Sequence, residues 1–400
     1  MTSEFPADTA LTAAGEKPHS SRKKSEKNFS VIPAASAPMM SDAMIRYGII
    51  RCRVRSSSFG APGEKEKESS QPVSAVVLGS GTEPKREGLA GLGRRLADEG
   101  LGLPQRYRAL YGLRNHPDDP AAVAGMLGAL GTESKLLKHE LAFALGQMRA
   151  RAAIPTLLRL LKDEAENSMV RHEAAEALGA ISEAEALPVL RAHAADPCVE
   201  VAHTCQLALQ RVEHYRTRAG GAAAAAAEEE NPYRSVDPAP AAPKATPTAE
   251  LRARLCDEGA PLFERYKALF GLRNQGGGAA VAALGAAFAS GSALLKHEVA
   301  YVLGQMQSPE AIAVLAGVLR DQGEHEMVRH EAAEALGAIA SPECVALLKA
   351  HQADASRPVA ESCDIALDIL GSEARGEFEY AATLEDALED GAAAVVEVVT

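Results

Sequence analysis

The stretch MVRHEAAEALGAI occurs twice in this chain, at Met169–Ile181 and at Met327–Ile339, without a single difference. A looser version also occurs twice, LLKHELAFALGQM from Leu136 and LLKHEVAYVLGQM from Leu294. On a helix turning 100° per residue, Val170, Ala174, Ala177, Leu178 and Ile181 fall within one apolar stripe, which predicts a helix packed on that face. His172 lies about 180° from the centre of the stripe. Four His-Glu pairs therefore stand near the starts of four helical segments: His139-Glu140, His172-Glu173, His297-Glu298 and His330-Glu331.

The spacing of these pairs decides the architecture. Within each half they are 33 residues apart (172 − 139 and 330 − 297), and the halves are offset by 158 (297 − 139 and 330 − 172). RYRALYGLRN from Arg106 recurs as RYKALFGLRN from Arg265, at an offset of 159, so one residue separates two otherwise parallel copies. A period in the thirties, rich in Ala and Leu and without strand-like segments, predicts stacked helix pairs. About four such units fit in each half: roughly 86–117, 118–150, 151–183 and 184–214, then 249–276, 277–309, 310–342 and 343–372. The expected fold is all-α and resembles the HEAT-like repeats: a helical solenoid of two four-repeat halves, related by duplication with pseudo-twofold symmetry. Residues 85–216 and 249–373 form the halves, and the Ala/Pro-rich stretch 217–248 is expected to be a flexible linker. Residues 1–84, rich in Ser, Pro, Lys and Glu without a sustained period, read as a disordered extension, and 374–400 as an acidic tail.

Composition narrows the function. With 46% hydrophobic residues and no Trp, the core must be aliphatic. A formal net charge of −12 argues against binding nucleic acid and suits a basic partner better. The six cysteines form no CxxC pair, which speaks against a thiolate zinc site or a disulfide framework and for a reducing, cytoplasmic setting. No apolar run approaches the ~20 residues needed to span a bilayer, and a monomer is expected.

The repeats supply their own controls for the His-Glu pairs. A single histidine near a helix start reads as an ordinary exposed polar residue; four at matched positions do not. At the equivalent place repeat four has His203 followed by Thr204, repeat eight has Glu361, and repeats one and five have Gln105 and Glu264. The pair is confined to repeats two, three, six and seven. His325-Glu326 precedes its helix, where the first half has Asn167-Ser168, and is expected to be solvated; His193, His214 and His351 carry no partner pattern. Beside each paired histidine, small residues follow on the same face: Ala142 and Gly146, Ala175 and Gly179, Ala300 and Gly304, Ala333 and Gly337. Gly inside a helix costs roughly 1 kcal/mol relative to Ala, so its recurrence predicts a recess that something needs.

Second helices of neighbouring repeats stack about 10 Å apart, close enough for two histidines and a carboxylate to share an ion. Each half can then hold one metal, and halves that face each other would make one dinuclear centre. Imidazole and carboxylate without thiolate favour iron or manganese and are also compatible with zinc. Spacing alone leaves an oxygenase and a metallohydrolase both open.

The duplicated KHE and VRHE units, two per half and 33 residues apart, resemble the deoxyhypusine hydroxylase family, HEAT-like di-iron monooxygenases, over about residues 86–372. That resemblance implies O₂-dependent hydroxylation of the deoxyhypusine side chain of translation initiation factor 5A, with two Fe²⁺ per chain. It implies His139, His172 and Glu173 as ligands of one iron and His297, His330 and Glu331 as ligands of the other. Glu140 and Glu298 are then linked more to the substrate than to the metal. The substrate side chain carries two amines, which a cleft lined by glutamates would attract. The competing readings are a HEAT-like binding scaffold, a relative of the bilin lyases that share the repeat signature, and a dinuclear zinc or manganese hydrolase.

Overall fold

The computed structural model describes residues 88–217 and 231–374. The expectations for 1–84, for most of the acidic tail and for the Ala-rich part of the linker lie outside the described residues. Among those described the chain is all-α, with sixteen helices in eight pairs. The first half holds α1 (Leu89–Ala97), α2 (Leu103–Arg114), α3 (Pro120–Ala129), α4 (Lys135–Gln147), α5 (Ile154–Lys162), α6 (Ser168–Ile181), α7 (Leu187–Ala192) and α8 (Val199–Thr217). The second half holds α9 (Thr248–Leu255), α10 (Leu262–Gln275), α11 (Gly277–Gly285), α12 (Ala293–Met306), α13 (Ile312–Arg320), α14 (Glu326–Ile339), α15 (Pro342–His351) and α16 (Arg357–Ala374).

The two helices of a pair differ in how much of their surface they bury. On α5 the buried residues are Ile154, Leu157, Leu160 and Leu161, one stripe at helical spacing that leaves the other side to solvent. On α6 the burial runs from Met169 around the whole circumference, His172 and Glu173 included. The apolar stripe of α6 packs on α5, while its flanks meet α4 and α8. The array also closes on itself, because α8 packs against α10 and α12 while α16 packs against α2 and α4. Arg108 on α2 ties this closure to α16 through Asp368 at 3.0 Å and Ser372 at 2.8 Å. The histidine-bearing faces, opposite the stripe, are thereby buried in the middle of the closed array.

Four of the eight repeats, the first, third, fifth and seventh, are pinned by a buried arginine. Arg106, Arg171, Arg265 and Arg329 each donate Nε to the carbonyl ten residues back, Leu96, Leu161, Leu255 and Leu319, at 2.8–3.1 Å. These carbonyls end the first helix of the pair and have no intrahelical donor. The guanidinium is neutralised in turn by Glu99, Asp196, Glu258 and Asp354. Hydrogen bonding to Arg329 holds the Asp354 carboxyl down at about 2. The arginine of the VRHE motif is thus a fastener of the repeat, and the lysine of KHE bridges to the next repeat through Lys138–Glu166 and Lys296–Glu324.

Two expectations are corrected here. The four helical glycines do not open a recess for the histidines; they let neighbouring second helices approach backbone to backbone. A Cβ on Gly146 would lie 2.7 Å from the Cα of Ala177, one on Gly179 would lie 2.7 Å from the Cβ of Ala208, and Gly304 and Gly337 face Ala335 and Ala366 in the same way. The linker is not loose throughout. Residues 231–247 take a defined course, with Ser235, Val236, Ala239 and Ala242 buried. A composition of Ala and Pro reads as a spacer, and only long-range partners reveal the docking. His325 is exposed as expected, and it also caps α14 by accepting a hydrogen bond from the Met327 amide at 3.2 Å, as Asn167 caps α6.

The glycine contacts give a prediction whose sign is opposite to helix propensity. Gly179→Ala adds a methyl group where Ala208 already sits and is expected to destabilise the protein by about 1–3 kcal/mol. Gly317→Ala, on the exposed face of α13 with nothing within 4 Å, is expected to stabilise it by up to about 1 kcal/mol. Thermal melts of the two variants check this, and a stabilised Gly179→Ala would contradict the packing assigned to it.

Candidate metal centre

The site is assembled by four helices of the two halves. α4 and α6 carry His139 and His172, while α12 and α14 carry His297 and His330. Each histidine falls in the second turn of its helix, and each helix has its start fixed by a side-chain cap: Ser134, Asn167, Ser292 and His325. The caps fix where each helix begins and hence the height at which each imidazole stands.

The four imidazoles form a single cluster. Ring centroids are 5.4 Å apart for His139 and His172 and 5.5 Å for His297 and His330, within the halves. Between the halves the separations are just as short: 5.9 Å for His139 and His297, 5.4 Å for His139 and His330, 5.6 Å for His172 and His297. Glu173 reaches to 3.2 Å of His139 Nε2, and Glu331 to 3.4 Å of His297 Nε2. All six residues expected as ligands from the resemblance are therefore brought together, and Glu140 and Glu298 line a cavity with four of them, His139, Glu173, His297 and Glu331. The division by halves is less sharp than the spacing suggests. Ligand atoms of His139, His172 and Glu173 lie within 4.8 Å of one another, but so do those of His139, His297 and His330, which cross from one half to the other.

Sequence reasoning missed Glu176 and Glu334, four residues beyond His172 and His330 and therefore on the same helical face. The HEAAE pattern carried the signal, an acid at i+4 from the histidine. Glu334 joins His330 and Glu331 as a third group of close ligand atoms, with its Oε1 at 3.5 Å from His330 Nδ1. A hydrogen bond from the Ser362 hydroxyl, at 2.9 Å, fixes that carboxylate. The earlier helices have Phe143 and Tyr301 at the corresponding place, and these two rings meet edge to face at 5.7 Å. His203 lies apart from the cluster, beside the connection that leads into α12.

Burial dominates the electrostatics. It holds His172 and His330, both 0% exposed, well below the usual histidine range, aided by the neighbouring imidazoles, and takes His297 down to about 4. Burial likewise raises Glu140 to about 7 and Glu173 to about 8, and pushes Glu298 and Glu331 well above the normal carboxyl range. These groups face one another without satisfying one another. Both ring nitrogens of His172 and of His330, Nε2 of His139 and of His297, and one oxygen each of Glu140 and Glu173 are buried without a hydrogen-bond partner. Buried polar groups are normally paired, and leaving one unpaired costs ~1–3 kcal/mol. A cluster of neutral imidazoles and uncompensated carboxyls is the donor set that a divalent cation satisfies, because metal binding takes the neutral ring and the ionised carboxylate.

Comparison with known proteins agrees with this site. A model of HEAT repeats matches residues 123–210 and 281–368. The deoxyhypusine hydroxylase of Gallus gallus is 51% identical over 295 residues, 74% of this chain and 96% of that protein. The deoxyhypusine hydroxylase of Homo sapiens is 49% identical over 294 residues, 74% of this chain and 95% of that protein. The solved structure of human deoxyhypusine hydroxylase in complex with glycerol superposes with a TM-score of 0.67, covering 71% of this chain and 96% of that one.

The orphaned nitrogens predict which histidines matter for metal. After loading with Fe(II) under anaerobic conditions and desalting, His172→Ala and His330→Ala are each expected to retain half or less of the metal held by the unaltered chain. His203→Ala is expected to retain all of it, as is His325→Asn, which keeps a cap of the kind Asn167 gives α6. Metal analysis of the four variants decides this, and full occupancy in His172→Ala would remove that residue from the ligand set.

Proposed function

The chain belongs to the deoxyhypusine hydroxylase family and forms hypusine by hydroxylating deoxyhypusine, and we propose that a pair of irons held at the four-histidine cluster carries the reaction on the side chain of translation initiation factor 5A. The single observation that carries the metal reading is the set of buried, partnerless ring nitrogens at the axis of the closed array. His139, His172 and Glu173 would hold one iron, and His297, His330 and Glu331 the other. Iron with open coordination positions supplies the means of activating O₂ against an inert C–H bond, which no side chain can do. The cysteines, none of them in a CxxC pair, fit a reducing setting, and we place the reaction in the cytoplasm. No helix among the described residues is long and apolar enough to cross a membrane.

The residues of the chain perform the remaining tasks. Glu140 and Glu298 flank the cavity without belonging to the close groups of ligand atoms, which leaves their carboxylates for the amines of the incoming side chain. A cation entering beside Glu140 offsets the burial that holds its carboxyl at about 7, so binding itself draws the group into its ionised form. Phe143 and Tyr301 supply apolar surface for the methylenes between the amines. The closed packing of α4, α6, α12 and α14 keeps bulk water away, which strengthens each of these charge interactions. Glu334, held by the Ser362 hydroxyl, stands 3.5 Å from His330 Nδ1 on the cavity wall and offers a further carboxylate beside His330 and Glu331.

Paired substitutions separate the two kinds of glutamate. Glu140→Gln keeps the size but removes the charge that meets an ammonium group, a charged hydrogen bond contributing ~1.5–3 kcal/mol, so affinity for the deoxyhypusine-bearing factor is expected to fall roughly ten- to a hundredfold. Its iron content is expected to stay within a tenth or so of normal. Glu173→Gln is expected instead to lose iron, since a neutral amide is a poor ligand for a hard cation. Metal content and binding affinity measured on both variants test the division, and equal iron loss in the two would make Glu140 a ligand as well.

A further inference from the structure

The segment between the halves is bound far more firmly than a tether needs to be. Gln147, at the end of α4, accepts a hydrogen bond from the Val236 amide at 2.8 Å and donates one to the Val236 carbonyl at 3.2 Å, so its side-chain amide pairs with the strand-like backbone on both sides. Gln305, the residue 158 positions later on α12, donates to the Ser235 hydroxyl at 3.2 Å. Arg273 is completely buried and grips the Asp237 carboxylate with two bonds, at 2.9 and 2.6 Å. From the first half, Arg211 donates to the Asp237 carbonyl at 2.9 Å. Both halves thus hold the stretch Ser235–Pro238, the first half at Val236 and Asp237 and the second at Ser235 and Asp237.

Those four residues face the site. Ser235, Val236, Asp237 and Pro238 line the same cavity as His139, His297 and the glutamates, a narrow space of about 30 Å³ that would hold only a few water-sized particles. The lining has a pattern: carboxylates surround the histidines, whereas Val236 and Pro238 join Phe143 and Tyr301 as apolar surface. Such a space suits a thread of methylenes that carries its charges at defined intervals. In so narrow a space a wall held by these six hydrogen bonds cannot retreat by the width of a methylene without breaking several of them.

We propose that the strap Ser235–Pro238 is the end wall of the substrate pocket and that Val236 sets the length of aliphatic arm the enzyme accepts. Gln147, Gln305 and Arg273 act through it as positioning residues. The inference rests on the hydroxylase reading above and adds a specificity element to it. It also gives the linker a reason to be ordered beside the site.

The test compares the natural aminobutyl arm with an aminopentyl arm, one methylene longer, both carried on the same protein substrate. Val236→Ala should raise the ratio of kcat/KM for the longer arm over the natural one by about fivefold, the order expected for room for one methylene. Val236→Leu should lower that ratio to a similar degree. The hydrogen bonds to Gln147 go to the Val236 backbone, so both variants should keep the strap in place and the iron content of the unaltered chain. An unchanged ratio in both variants, or a change in the same direction in both, would overturn the proposal. Failure of the unaltered, iron-loaded chain to hydroxylate the aminobutyl substrate would instead overturn the hydroxylase reading itself.

Discussion

The structure depends on burying four imidazoles and their carboxylate neighbours in one place. Left to themselves these groups are costly: they sit among few partners and face each other at distances where charge is neither screened nor satisfied. Everything else in the fold distributes that cost. Caps set the height of each histidine, arginine fasteners fix alternate helix pairs, and glycine against alanine lets the second helices approach closely enough for histidines 33 residues apart to meet. The closure of α16 on α2 and α4, and of α8 on α10 and α12, then turns two rows of histidines into one cluster.

Much of this was legible in the chain. The 33-residue spacing and the repeated amphipathic stripe fix the helix pairs, because periodicity reports which side of a helix meets its partner within a repeat. The same wheel says nothing of how near the next repeat lies, and that is why Gly146, Gly179, Gly304 and Gly337 look like room for a ligand in the sequence and are contacts between helices in the structure. Glu176 and Glu334 were visible in HEAAE but look like one more solvated helix face until the halves close over them. The strap was hidden for a different reason: its order comes from Arg273, Gln147, Gln305 and Arg211, all distant in sequence, while its own composition reads as a spacer.

A duplicated fold need not make a divided site. Histidines of different halves stand as near to one another as those of the same half, and the groups of close ligand atoms cross the junction. The duplication supplies matched donors; the strap breaks the equivalence, since Gln147 holds its backbone while Gln305 and Arg273 hold its side chains.

The central claim is that the metals belong to one shared centre. Iron quantitation combined with electron paramagnetic resonance of the oxidised, iron-loaded protein addresses it directly. Two irons per chain with no resonance of isolated high-spin ferric iron would mark two spins coupled across a common site, as the account predicts. Two irons giving the full signal of independent ferric ions would contradict it and return the protein to two separate half-sites.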